Sequence, residues 1–196
     1  MYMDYKNIIT AIDRCDDIKD VKYIINSINE NQINSKQWLL DNSRNYFDVL
    51  PENPKVLIAA GWFGLLGNMI YNEKVSEQIV VVDVDPICKK YGKKLYPHLK
   101  HLTEDISNLY DSYIQSFDFI TCTACEHISD DKLNVFLKKK NKSSIVVLQS
   151  NDYYGVDGHI NCKDSLTNFK KSVHLNILES YELKTEKYTR FMIVGY

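Results

Sequence analysis

Two apolar runs bracket a glycine turn, Val56-Leu-Ile-Ala-Ala-Gly-Trp-Phe-Gly-Leu-Leu-Gly67 and Gln78-Ile-Val-Val-Val-Asp83, and few folds accommodate that arrangement. The first run has no alternation of polar and apolar residues, which reads as a strand buried on both faces. Gly61, Gly64 and Gly67 follow it, and then Leu65, Leu66, Met69 and Ile70 recur at helical spacing. The second run is again wholly apolar and ends on a carboxylate, Asp83. Strand, glycine turn, helix and acid-terminated strand form a β-α-β unit. Glycines let the backbone approach a ligand, the helix N-terminus offers N–H groups without intrahelical partners, and the acid accepts from both hydroxyls of a ribose. The pattern points to an adenosine-containing cofactor at the carboxyl edge of a parallel sheet. Three glycines by themselves can equally serve helix–strand packing. Their place after a buried strand and the offset to Asp83, twenty-two positions beyond Gly61, favour the nucleotide reading.

Beyond residue 55 apolar runs and helical patterns continue to alternate. Strands are expected at Lys55–Ala60, Gln78–Asp83, Leu99–Thr103, Phe117–Cys122 and Ser144–Gln149. Helices are expected at Trp62–Glu73, Pro86–Tyr96, Ser129–Lys139 and Lys163–Val173. Such alternation means a parallel sheet with right-handed crossovers. The last two runs, Leu175–Leu183 and Lys187–Gly195, are too close to pair other than as an antiparallel hairpin. Residues 1–54 read as a helical extension packed on the sheet edge, helical from Met3 to about Leu50. One helix carries Ile18, Val21, Ile24, Ile25 and Ile28; a polar break, Asn29–Gln32, precedes another beginning near Ser35, with Trp38, Leu39, Tyr46, Phe47 and Leu50 on its apolar face. Pro51 and Pro54 end the segment. With 196 residues, one domain with two parts, 1–54 and 55–196, is expected.

A net charge of -2 gives no bulk attraction to nucleic acid or to an anionic membrane. Lys138-Lys-Lys140 reads as a solvated helix C-terminus. Five cysteines without framework spacing suit a reducing compartment, and the absence of an apolar leader or spanning stretch suggests a cytoplasmic protein.

The densest chemistry is Thr121-Cys-Thr-Ala-Cys-Glu-His127, at the end of the fourth strand, where ligand crevices of open α/β sheets lie. His127 is the candidate general base and Glu126 the carboxylate that orients it; capping of the next helix is the plainer alternative. Asn151, Asp152, Tyr153 and His159, beyond the fifth strand, offer donors, acceptors and a ring suited to holding an acceptor substrate, though Asn and Asp also build ordinary turns. Asp85 is the second choice for the ribose, since it should point the other way from Asp83 on an extended chain, and its plainer reading is the cap of an ordinary Asp-Pro helix start; Asp105 suits either an adenine amino group or a helix cap. Cys125, His127, His159 and Cys162 would make a loose zinc set, but their spacings match no known zinc pattern and no metal is assigned.

These residues and their order resemble class I S-adenosylmethionine-dependent methyltransferases over about Lys55 to Tyr196. Ala60-Gly-Trp-Phe-Gly64, Asp83-Val-Asp-Pro86, Cys125-Glu-His127, Leu148-Gln-Ser-Asn-Asp152 and Lys187-Tyr-Thr-Arg-Phe191 are similar to a small methyltransferase-like group of phage and bacterial genomes. The resemblance implies a three-layer Rossmann-like α/β fold with a seven-stranded, mostly parallel sheet and an antiparallel last strand. It implies S-adenosyl-L-methionine as cofactor, cradled by Gly61, Trp62, Gly64 and Gly67, with Asp83 on the ribose, Asp105 on the adenine, and Thr121 to His127 lining the transfer site. One departure stands out: the acid expected two residues before the first glycine is Ala59 here, so the cofactor's ammonium must be met by main-chain carbonyls or Glu126. The strand-four cluster also lacks the Asn/Asp-Pro-Pro-Tyr pattern of enzymes that methylate nucleobase amino groups. The acceptor is not legible. A cofactor-binding protein without turnover, and a nicotinamide-dependent oxidoreductase, are the competing readings.

Overall fold

The computed structural model describes residues Tyr5–Tyr196; Met3 and Asp4, which the sequence reading includes in its first helical stretch, lie outside them. The strands are ordered β3-β2-β1 in the first unit and β4-β5-β7-β6 in the second, as defined below. The chain divides into two compact units at Asp105/Ile106, within the stretch read from sequence as one core.

The first unit opens with helices α1 (Tyr5–Asp13), α2 (Ile18–Ser27) and α3 (Glu30–Phe47). Asp17 caps α2 by accepting from the Lys19 N–H at 2.8 Å. Asn29 caps α3, accepting from Gln32 N–H at 2.9 Å, so the polar stretch read as a break is the first turn of a long helix. The cause is local: Asn and Asp side chains satisfy N–H groups that a helix start leaves open. Of the isoleucine row only Ile24 is sealed; Ile18 and Ile25 are 66% and 51% exposed. On α3 the buried apolar residues are Leu39 and Leu40, alongside the buried polar Ser35, Lys36 and Ser43, while Trp38 and Tyr46 are half-buried.

Strands β1 (Val56–Ala59), β2 (Ile79–Asp83) and β3 (Lys100–Thr103) pair in parallel, with Ala59 opposite Val82 and Asp83 opposite Thr103. All four β1 residues are buried, as an unalternating run requires. Helix α4 (Leu65–Asn72) starts three residues later than expected, because the chain first makes a tight turn through Ala60–Gly64. Helix α5 (Pro86–Leu95) has Asp85 as its cap, accepting from Ile87 N–H at 2.9 Å, with Pro86 in the first turn.

The second unit holds α6 (Asp111–Ile114), β4 (Phe119–Cys122), α7 (Asp130–Lys138), β5 (Ile145–Asn151), α8 (Leu166–Ser172), β6 (Ile177–Lys184) and β7 (Thr189–Gly195). β4 and β5 are parallel, whereas β7 is antiparallel to both β5 and β6. The last strand of the sequence thus lies between its two neighbours rather than at the sheet edge. The lysine run is not uniformly solvated. Half-buried Lys139 donates its ammonium to the Ser107 and Leu109 carbonyls at 2.8 and 2.9 Å, while Lys138, Lys140 and Lys142 line a surface depression with His174.

Candidate functional sites

In the first unit the turn after β1 takes an uncommon backbone path. Ala60 and Trp62 have φ of 48° and 52°, the left-handed region that costs a residue with a Cβ roughly 1–2 kcal/mol, and Gly64 has φ of 100°. Asp83 holds this turn. Its Oδ2 accepts from the Trp62 N–H at 2.9 Å and its Oδ1 from the Asp85 N–H at 3.1 Å. The Gly61 N–H completes the clasp by donating to the Val82 carbonyl at 3.1 Å. A carboxylate at the tip of β2 therefore ties the turn after β1 to the turn before α5.

Two of the three glycines are required by packing. A Cβ on Gly61 would stand 2.6 Å from Val81 Cγ1, and one on Gly67 would stand 2.9 Å from Leu99 Cδ1. The ligand reading rests instead on the strained turn and on Asp83. Ala60, Trp62 and Asp83 remain half exposed, so side chains do not seal the turn.

Over it lie aromatic rings the sequence did not single out. Tyr23 of α2 packs on Trp62 (ring centroids 5.1 Å apart) and on Phe63 (5.2 Å). Its hydroxyl is pushed well up by burial and then by the negative field of Cys88, Asp85 and Asp83, so it stays protonated as a donor. Burial likewise pushes up the Cys88 thiol, with Asp83 adding to the effect. The helical extension thus reaches the turn through Tyr23, held there by Tyr91 Oη donating to Asp20 at 2.5 Å and by Lys90 to Asp16 at 2.8 Å. Nothing in the spacing of α2 marked Tyr23. Asp105 closes this unit, its N–H donating to Glu104 Oε1 at 3.0 Å.

In the second unit Thr121 is fully buried in β4. A 3-10 turn, Cys125–His127, follows the strand and presents Glu126 and His127. Glu126 is only 4% exposed. Its Oε1 accepts from Asn151 Nδ2 at 2.6 Å, while its Oε2 has no hydrogen-bond partner among the described residues. Glu126 does not orient His127. The exposed His127 ring instead places Nδ1 2.8 Å from the Gly158 carbonyl, and His159 places its own Nδ1 2.8 Å from the Tyr153 carbonyl. A carbonyl oxygen can only accept, so both rings carry a proton on Nδ1, and the neutral tautomer of each has its lone pair on Nε2. The two rings meet edge to face, centroids 4.7 Å apart.

The polar residues after β5 serve largely as scaffold. Asn151 spends its amide on Glu126 and its carbonyl on the Tyr153 N–H at 2.9 Å; Asp152 accepts from the Thr189 N–H at 2.6 Å. Tyr153 stacks on Tyr188 at 5.0 Å. Three residues unmarked by the sequence set the loop's position. The Asn161 N–H donates to the Glu126 carbonyl at 2.9 Å, and its amide reaches the Ile128 carbonyl and Asp130. Buried Lys163 grips both Asp130 oxygens at 2.8 Å. Burial alone would raise the Asp130 carboxyl, but Lys163 and Asn161 outweigh it and hold it below its usual range. The zinc set considered from sequence is not the one assembled. Cys125 is buried with its thiol 3.7 Å from the Cys122 carbonyl, and burial, then Cys122 and Glu126, push its acidity well down, which makes it a poor ligand or nucleophile.

No protein-family model matches the chain, and no curated protein matches it. Solved structures do. The N-methyltransferase NodS from Bradyrhizobium japonicum shares 14% identity at a TM-score of 0.64, over 86% of this chain and 97% of that one. An S-adenosylmethionine-dependent methyltransferase from Clostridium acetobutylicum shares 12% at 0.64, over 89% and 97%. A mutant of MtNAS, solved in complex with S-adenosylmethionine, shares 12% at 0.62, over 97% and 71%. At such identities the likeness is one of fold, a Rossmann-like α/β fold shared with these methyltransferases. Among the described residues no helix is long and apolar enough to cross a membrane.

Proposed function

We propose that this protein binds S-adenosyl-L-methionine and transfers its methyl group to an acceptor that meets the residues following β4 and β5. The observation that carries the reading is Asp83: a half-exposed carboxylate at the tip of β2, clasping a turn whose left-handed residues hold their strain where a ligand would lie. The shared fold with methyltransferases supports it. When bound, the cofactor supplies a methyl group on a positively charged sulfur.

The residues present fit such a guest. Each Asp83 oxygen accepts one backbone N–H and retains a lone pair toward ribose hydroxyls. Gly61, Trp62, Gly64 and Gly67 form the cradle, Asp105 is assigned to the adenine amino group, and Thr121 to the wall near the transfer site. Methyl transfer is an in-line displacement, so the protein's task is chiefly alignment and acceptance of a proton. His127 Nε2 carries the lone pair for that proton. Asn151 holds Glu126, Asp152 holds the start of β7, and Tyr153 with His159 offers surface to the acceptor. Ala59, where the fold's usual acid is missing, favours a second reading in which the cofactor is held without turnover.

Mass spectrometry of small molecules released from purified protein, followed by calorimetry with S-adenosylhomocysteine, tests the proposal. An adenosyl compound carried through purification, or saturable binding that weakens in Asp83→Ala, is expected. Wild-type protein that takes up no adenosyl ligand at millimolar concentration defeats it.

A further inference from the structure

The Glu126, His127 and His159 side chains have an arrangement that proton acceptance does not require. One nitrogen of each ring and a carboxylate oxygen of Glu126 all lie within 4.8 Å of one another. From this convergence the geometry points to a binding site for a divalent transition-metal cation, with two imidazoles and one carboxylate as ligands. Methyl transfer does not require the site, and the inference does not rest on it.

Three observations carry it. First, each ring is fixed from behind: Nδ1–H of His127 donates to the Gly158 carbonyl and Nδ1–H of His159 to the Tyr153 carbonyl, both at 2.8 Å. This is how metal-binding histidines are held, because the rear hydrogen bond selects the tautomer that presents Nε2. Second, Glu126 is 4% exposed with Oε2 unpartnered among the described residues. A buried carboxylate oxygen lacking a donor is costly, and a bound cation is one group that answers it. Third, the carboxylate is oriented by Asn151, whose amide bonds Oε1 at 2.6 Å and whose carbonyl is itself fixed by the Tyr153 N–H at 2.9 Å. Ligand, rear support and loop anchor all lie in the second unit.

The donor set selects the ion class. Two neutral imidazoles with one carboxylate suit zinc, cobalt, iron or manganese, whereas magnesium and calcium prefer all-oxygen shells. Metal–ligand bonds of about 2.0–2.2 Å require the three donor atoms to draw closer together on binding. Three protein ligands leave coordination positions for water or for an oxygen of a bound molecule, as in catalytic rather than structural sites. The rival occupant is a primary ammonium ion accepted by the same lone pairs.

Chelator-treated protein is titrated with cobalt chloride, followed by visible absorption, and with zinc and manganese chlorides by calorimetry, with neither cofactor nor acceptor present. Wild-type protein should bind one cation per chain. Glu126→Gln and His159→Ala should weaken binding by tenfold or more, and Asn151→Ala by about 10- to 100-fold as expected for a residue that orients a ligand. His127→Ala is the control for folding, since its ring is exposed; its thermal melt should match wild type while its affinity falls. No binding of any of the three metals at millimolar concentration overturns the proposal. So does stoichiometric binding that survives unchanged in folded His127→Ala, which would move the metal elsewhere. Because adenosyl ligands are absent, failure here leaves the calorimetric test of cofactor binding standing.

Discussion

Replacing Asp83 separates two roles that its carboxylate combines. In the structure it accepts from the Trp62 N–H at 2.9 Å and the Asp85 N–H at 3.1 Å. Hydrogen bonds to a charged group contribute about 1.5–3 kcal/mol each, and half exposure lets water replace part of that. Asp83→Asn keeps one acceptor but turns an amide N–H toward the other donor, so it should cost about 1.5–3 kcal/mol of stability. Asp83→Ala removes both acceptors and, after allowance for water, should cost about 2–4 kcal/mol. In the proposed complex the same carboxylate accepts from the ribose. Losing one such bond, about 1.5–3 kcal/mol, should weaken S-adenosylhomocysteine binding roughly 10- to 150-fold. Urea denaturation reads the first effect and isothermal calorimetry at a temperature where each variant is folded reads the second. If stability falls as expected while affinity stays within twofold of wild type, Asp83 is only a turn clasp and the ribose assignment is wrong.

Other outcomes follow from the same geometry. Ala60→Gly should hold or raise stability by up to about 1 kcal/mol in urea denaturation, since φ of 48° strains alanine and not glycine; a loss above that size would mean the turn is not strained. Burial lowers the His101 imidazole from 6.5 to about 4. The unfolded chain therefore binds the extra proton first, and stability should fall as pH drops from about 6.5 toward 4, by up to about 3 kcal/mol from this group. His101→Gln should flatten that part of a pH series of urea midpoints; an unchanged slope would refute the assignment. Lys163→Met should cost about 1–3 kcal/mol and expose the loop before α8 to limited proteolysis, because Asp130 loses its partner and Asn161 its support. A protease pattern identical to wild type would count against that anchor.

The order of strands and helices beyond residue 55, the acid at the end of β2, the Asp85 cap and the terminal hairpin could all be read from the chain, because each depends on neighbours within a few positions. Apolar runs without alternation must be buried on both faces, and Asp-Pro before an apolar helix needs no distant partner. Elsewhere local pattern misled. Asn29 looked like a break and is a cap, and Ile18 shares its row with Ile24 yet faces solvent, since spacing shows which residues share a face but not how far the covering element extends. What only tertiary structure decided is which polar atoms meet. Gly158 and Tyr153 supply carbonyls that no residue type advertises, and they, rather than Glu126, set the histidine tautomers. Tyr23 reaches Trp62 across thirty-nine positions and Asn151 reaches Glu126 across twenty-five. Hydrogen bonds are short and directional, so a chemistry-bearing residue acquires its role from partners that the fold, not the sequence spacing, brings within about 3 Å.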